Sequence, residues 1–281
     1  MSKIIVTHVH PDLDAIMSVW LLMRFDQSRY GDAELAFVPA GKTYKNNKVD
    51  TDDNIVHVDT GMGKYDHHQP GSYGTCASEL ILASLLKDGL VKPDDQAIRA
   101  MCTHARSIDL FEDCYYPEAR EPRYAFTLPE IIPALHRLQI HDNEAVTRII
   151  MVQLDGVYQK LKDWYHAKEE ITRGEEFSSV WGKGIAVYAG SDDVHKVAQR
   201  AGYEIVVVAD PKSGYVGIKT TPAVTRPLQI LYDKIIAVDG PEKWFYHNSG
   251  HMVLHGSDKG PMPSPSSLTI EKILEFIEQV K

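Results

Sequence analysis

The segment Lys3 to Ala15, KIIVTHVHPDLDA, constrains this chain more than any other. A β-branched run, Lys3 to Thr7, stops abruptly at a polar cluster, and an apolar helix follows over Ala15 to Arg24. A short apolar run bounded by polar residues reads as a buried strand, so the cluster is a strand-to-helix loop. In open α/β sheets, ligands gather at the carboxyl ends of strands. The loop carries His8, His10, Asp12 and Asp14 within seven residues, with Pro11 stiffening it just before the first acid. Two acids one residue apart in an apolar setting repel each other unless something positive lies between them. A hard divalent cation is the economical answer. Helix capping by Asp12 or Asp14 explains one carboxylate, but not two acids with two imidazoles.

The rest of the chain continues the alternation. Strands are expected at Glu34 to Val38 and Asn54 to Asp59, and Lys64 to His68 is expected to return antiparallel after the Gly61-Met62-Gly63 turn. Helices are expected over Ser78 to Asp88, Gln96 to Ile108 and Asp142 to Glu170, the last being one long helix. The proline-rich stretch from Tyr115 to Pro133 reads as a loop with short helical pieces, and Thr172 to Gly184 as a linker. Beyond it lie strands Ile185 to Tyr188, Glu204 to Ala209 and Tyr215 to Thr220, a helix Val194 to Ala201, and a closing helix Leu268 to Val280. Strands alternating with helices in both parts predict an α/β protein. The expected domains are 1–172, including the long helix, and a smaller lobe, 185–281.

Composition narrows the function. The 281 residues hold 30 Lys+Arg against 39 Asp+Glu, a net charge of −9, so the overall field does not favour coating duplex nucleic acid. Cys76, Cys102 and Cys114 form no CxxC pair, which argues against a cysteine zinc site or a disulfide framework. No apolar run is long enough to cross a membrane, and the expected location is the cytoplasm.

A second cluster comprises Asp59, ending a strand, and Asp66-His67-His68. Because successive side chains of a strand diverge, one imidazole is expected as a ligand and the other toward substrate. Asp109 lies at a helix end, with Asp113 as an alternative acid nearby. The string Thr7-His8-x-His10-x-Asp12 also begins the metallo-β-lactamase motif. That motif needs a histidine directly after the acid, where this chain has Leu13.

Together these motifs resemble the DHH phosphoesterase superfamily, which includes RecJ-type exonucleases, nanoRNase-type oligoribonucleases and family II inorganic pyrophosphatases. His8 to Ala15 is similar to its first motif, Ile55 to Asp59 to the second, Asp66-His67-His68 to the third, and Asp109 to the fourth. The short connection before Tyr65-Asp-His-His-Gln69 is similar to a branch of RNA exonucleases, whose first motif is spaced differently. The resemblance implies a parallel-sheet DHH domain joined by a long helix and linker to a smaller α/β C-terminal lobe. It implies two divalent cations, usually manganese, with magnesium or cobalt as alternatives. His8 and Asp12 would hold one, Asp14, His67 and Asp109 the other, and Asp59 would bridge them and be essential to catalysis. A hydroxide between the metals would attack phosphorus. His68 would act on the phosphate or the leaving oxygen, Asp66 would orient an imidazole, and His10 would lie near the substrate.

The expected activity is hydrolysis of phosphodiester bonds in short oligonucleotides or nucleotides. A pyrophosphatase-like phosphoanhydride hydrolase and a non-catalytic nucleotide-binding protein are the alternatives. The partner is then a short single-stranded oligonucleotide or small phosphoester, not a membrane, with oligomerisation left open. In the C-terminal lobe, Ser249-Gly250-His251 is similar to the superfamily's Gly-rich, His-containing substrate loop, and amides around a glycine make an anion nest. Arg226, Lys219 and Lys259 could add phosphate contacts, and Tyr246 or Trp244 could stack a base, although strand aromatics usually face a core.

Overall fold

A computed structural model describes residues 2–138, 142–191, 193–256, 264 and 266–281. It divides into two compact units, Met1–Lys160 and Leu161–Lys281. The division falls inside the long helix, rather than after it at residue 172.

The first unit is built on a three-stranded parallel sheet in the order β2-β1-β3. Strand β1 (Ile4–His8) lies centrally, with Ile5, Val6 and Thr7 buried. It pairs with β2 (Glu34–Val38) from Ile4 opposite Glu34, and with β3 (Ile55–His57) from Ile4 opposite Ile55. Parallel pairing places the carboxyl ends of β1 and β3 along one edge of the sheet, which is where the loops bearing the acids begin. Helix α1 (Leu13–Phe25) follows β1, and α2 (Gln27–Tyr30) turns the chain toward β2. α1 is apolar all round and buried from Leu13 to Leu22, because it packs against both α3 (Ala77–Lys87) and α4 (Gln96–Asp109). The unit is completed by α5 (Leu128–Leu138) and the amino-terminal part of α6 (Asn143–Ile171), which buries Val146, Ile150 and Leu154.

The second unit has a six-stranded sheet, β4-β5-β6-β7-β9-β8. Its strands are β4 (Glu175–Ser179), β5 (Gly182–Tyr188), β6 (Ile205–Ala209), β7 (Val216–Thr220), β8 (Trp244–Tyr246) and β9 (Met252–His255). Only β5 and β6 are parallel, joined through α7 (Asp193–Arg200). β6 is buried along its whole length because both faces of the sheet are covered. Val206 and Val208 pack with Val194 and Val197 of α7, whereas Ile205 and Val207 face a core containing Leu231 and Ile235 of α8 (Gln229–Asp239) and Ile273 and Ile277 of α9 (Ile270–Glu278).

Three expectations are corrected. Residues 172–184 are not a free linker, since β4 pairs antiparallel with β5 from Glu175 opposite Ala186. Lys64 to His68 form no strand; the loop is closed instead by the Asp59 amide donating to the Tyr65 carbonyl at 2.9 Å. The Pro-rich stretch is a loop with a short helical piece, Pro122–Phe126, as far as Thr127, but from Leu128 it becomes a regular helix, α5, that tolerates Pro133 within it.

Asp239, at the end of α8, is buried and anchors the second unit. Its carboxylate accepts hydrogen bonds from Trp244 Nε1 at 2.9 Å, Ser266 Oγ at 2.7 Å, and the amide and hydroxyl of Ser267 at 3.1 and 3.0 Å. Lys243 Nζ lies 3.1 Å away. Burial pushes the Asp239 carboxyl up, but these donors outweigh it and hold it well below the ordinary carboxylate range. The stabilisation it gives is thus complete above the unfolded-state value, about 3.9, and is lost as pH falls toward the folded value. Asp239→Ala should destabilise the second unit by about 3 kcal/mol in urea unfolding at neutral pH, with a smaller difference from wild type in acid.

Candidate metal centre

The site assembles from the ends of β1, β3 and α4. Asp12 caps α1, accepting from the Ala15 amide at 3.1 Å, so the capping role and membership of the acidic cluster fall to the same residue. Asp14 is buried one residue into α1, and its two oxygens accept from the Ala77 and Ser78 amides at 2.7 and 3.0 Å. Those amides open α3, so its unpaired donors and dipole fix this carboxylate in place. Asp59 leaves β3 in the left-handed region, at φ 53°, and is buried.

Asp59 occupies the middle of the arrangement. His8 Nε2 lies 3.3 Å from its Oδ2, and His67 Nε2 lies 3.2 Å from its Oδ1. His67 Nε2 is also 3.5 Å from Asp109 Oδ2, at the last residue of α4. Two groups of ligand atoms result, each within 4.8 Å: His8, Asp12 and Asp59 in one, and Asp14, His67 and Asp109 in the other. Geometry thereby selects Asp109 over Asp113, which belongs to the following 3-10 turn, Glu112–Tyr115.

His68 departs from the strand-based expectation. Because no strand runs through residues 64–68, the two rings do not diverge; their centroids are 4.2 Å apart, and Asp59, His67 and His68 form a third close group. Asp66 is buried, and its Oδ1 accepts from the His68 amide at 3.0 Å and pairs with His68 Nδ1 at 2.8 Å, while Oδ2 accepts from the Met62 amide at 2.7 Å. It therefore shapes the loop and orients an imidazole. His10, also in the left-handed region at φ 51°, is tied back by its amide to Asn143 Oδ1 at 3.0 Å and meets His136 edge to face.

The charges are those of a site short of cations. Burial lowers the His8 pKa, but the Asp59 hydrogen bond and nearby acids lift it to about 9. The Asp59 carboxylate likewise raises His67 to about 9, against burial. Burial and the Asp59 charge push Asp14 up to about 6, and burial raises Asp109. Asp59 itself is pushed up by burial, yet the two imidazoles hold it below its usual range. Asp59 Oδ1 and His67 Nε2 are buried and, despite their closeness, lack the alignment of a hydrogen bond. Orphaned buried donors and acceptors of this kind, among carboxylates and imidazoles, fit a divalent cation such as manganese, magnesium or cobalt.

The residues expected in the C-terminal lobe belong to the second unit. Ser249, Gly250 and His251 form the turn between β8 and β9, with Gly250 at φ 78°, where an added Cβ would lie 2.9 Å from Pro227 Cβ. The Gly250 amide donates to the His247 carbonyl at 2.9 Å, the Ser249 amide to His247 Nδ1 at 3.1 Å, and the His251 amide to Ser249 Oγ at 3.3 Å. The anticipated anion nest is thus a turn whose amides are already engaged. His251 Nδ1 is 2.9 Å from Thr220 Oγ1, and Arg226 donates to the Lys281 carbonyl at 2.7 Å. Trp244 is buried in the core and is no stacking platform, while Tyr246 is partly buried and packs against that core. Lys219 lies on β7, and Lys259 lies outside the described residues.

Sequence reasoning missed a recess of about 620 Å³ beside the cluster. Asp12, Asp14 and Asp109 belong to its lining, together with Ile108, Phe111, Ile132 and Pro133. Phe111 stands exposed on this lining at a left-handed φ of 60°, and nothing in the sequence pattern marked it.

An α/β fold with acids and imidazoles gathered at the carboxyl edge of a parallel sheet defines a candidate metal-binding protein. In motif order the chain resembles the DHH phosphoesterases. Among solved structures it is similar to an exopolyphosphatase-related protein from Bacteroides fragilis, at 12% identity over 99% of this chain and 91% of that one, TM-score 0.29. It is similar to RecJ from Thermus thermophilus in complex with Mg²⁺, at 15% identity and TM-score 0.31, over 92% of this chain but 47% of that one. It is also similar to a putative family II inorganic pyrophosphatase from Methanococcus jannaschii, at 14% identity over 99% of this chain and 100% of that one, TM-score 0.22. No family model and no curated protein matches the chain. Among the described residues, no helix is long and apolar enough to cross a membrane.

Because His8 and His67 hold protons to about pH 9 without metal, cation binding must displace them. Calorimetric titration with Mn²⁺ at pH 7.5 in buffers of different ionisation enthalpy should show release of about two protons, with affinity rising as pH rises toward 9. Buffer-independent heats would contradict this assignment of the ligands.

Proposed function

We propose that the protein is a hydrolase acting with two divalent cations on the phosphodiester bonds of short oligonucleotides or nucleotides. The observation that carries this reading is the placement of Asp59, with one oxygen 3.3 Å from His8 Nε2 and the other 3.2 Å from His67 Nε2. One carboxylate therefore serves two ligand groups. His8, Asp12 and Asp59 would hold one cation, and Asp14, His67 and Asp109 the other, with Asp59 reaching the second through the oxygen that lies 3.2 Å from His67 Nε2. Bound there, divalent cations supply Lewis acidity toward a phosphoryl oxygen and lower the pKa of water.

The chain's own groups do the remainder. Asp14 and Asp59 are buried and cannot swing away, so the ligand geometry is set before substrate arrives. Asp66 fixes the ring of His68 through Nδ1, leaving Nε2 as the ring atom available to substrate. The His68 side chain is 58% exposed, as a group that meets an incoming phosphate or leaving oxygen must be. An organic phosphoester is favoured over an inorganic phosphoanhydride because the recess on the same carboxylates has a largely apolar lining.

The test is a panel of pyrophosphate, mononucleotide esters and labelled short RNA, assayed with Mn²⁺. Asp59→Ala should reduce turnover by more than about a thousandfold, since it removes the ligand shared by both groups. His68→Gln should lower kcat while the bound Mn²⁺ content stays at the wild-type level. Retained activity in Asp59→Ala, or hydrolysis of pyrophosphate alone, would overturn the reading.

A further inference from the structure

The recess beside the metal centre is formed by the loop before α1, the carboxyl end of α4 and helix α5, all within the first unit. Its volume of about 620 Å³ falls in the range of sites that enclose a small organic molecule. Three of its residues, Asp12, Asp14 and Asp109, are also members of the two ligand groups. A molecule with its phosphoryl group at the cations therefore has the recess as the place for whatever that group carries. Inorganic pyrophosphate would leave it empty.

The lining is selective in two ways. Ile108, Ile132 and Pro133 make an apolar wall, and Phe111 is 79% exposed beside it. Phe111 is thus a large aromatic left in solvent at a backbone angle that bulky residues rarely adopt, and it stacks on no other ring among the described residues. The polar lining is of the opposite kind: Arg137 on α5 brings its guanidinium donors to the cavity, with His136 beside it. His136 is itself fixed, with Nε2 3.2 Å from the Pro11 carbonyl. An aliphatic group would use the wall and leave these donors without a role. A planar heteroaromatic ring uses both, its face against Phe111 and its edge against Arg137.

We infer that this recess receives the nucleobase of the nucleotide whose phosphate lies at the metal centre, with Phe111 and Arg137 as the residues that set the preference for it. The inference rests on the proposed phosphodiesterase reading for the position of the phosphate, and it adds where the base is read.

The probes are adenosine 5′-monophosphate, ribose 5-phosphate, which is the same molecule without its base, and hexyl phosphate. Their dissociation constants are measured by calorimetry on the full chain with Mn²⁺ present. Wild type should bind the nucleotide at least about tenfold more tightly than ribose 5-phosphate, the advantage expected of one stacked base. Phe111→Ala and Arg137→Ala should each shrink that ratio severalfold. Both residues are exposed, so neither truncation opens the core. Equal binding of the two sugars' phosphates by wild type, or a preference that survives both substitutions, overturns the inference. Hexyl phosphate binding as tightly as the nucleotide overturns it in favour of an aliphatic occupant. Cleavage of a dinucleotide, followed in parallel, separates the two claims. A base preference lost in Phe111→Ala without any cleavage would retain the recess and reject the phosphodiesterase, whereas cleavage with no base preference would do the reverse.

Discussion

The first unit turns on a buried carboxylate that two imidazoles share. Asp59 leaves β3 through a left-handed residue and lies between His8, at the end of β1, and His67, from the loop that follows. The adjacency exists because β1 and β3 are parallel neighbours, so their carboxyl ends emerge together. A buried acid flanked this way is stable only while positive charge remains beside it. In the protein alone the imidazoles supply that charge, and their raised pKa values are its signature.

The surrounding acids make the balance sharper. Asp14 and Asp109 are pushed toward their neutral forms by burial, while α3 directs two amides at Asp14 and limits how far that goes. The net charge of −9 is thus no general indicator of partners, because part of the acidity is concentrated in a pocket that favours cations. Arg137 and His136 stand on the side of the adjoining recess, where a substrate's organic part and not its phosphate is expected.

Much of this was legible in the sequence, for physical reasons. The β1–α1 unit compresses strand, loop and helix signals into one segment, so the placement of His8, Asp12 and Asp14 followed from local pattern alone. Asp59 was readable because a β-branched run ended on it. Asp109 needed the structure, since periodicity ends α4 only approximately and Asp113 was nearby. The rings of the adjacent histidines were expected to diverge because the residues after Gly63 read as a strand, whereas buried Asp66 organises them as a closed loop that keeps them together. In the second unit, β4 was hidden by glycines that read as a linker, and α8 by an apolar pattern without clear caps. The recess was invisible because its walls come from α4 and α5, separated by a proline-interrupted stretch that carries no period.

The thiols carry a practical consequence. Cys76 and Cys102 are buried next to α3 and α4, and burial together with the Asp14 charge pushes both far above the ordinary thiol range, so neither offers a thiolate to an electrophile. Cys114, three residues beyond Phe111, is exposed. A maleimide dye would therefore attach selectively at Cys114, on the turn that follows Phe111, and leave every proposed ligand untouched.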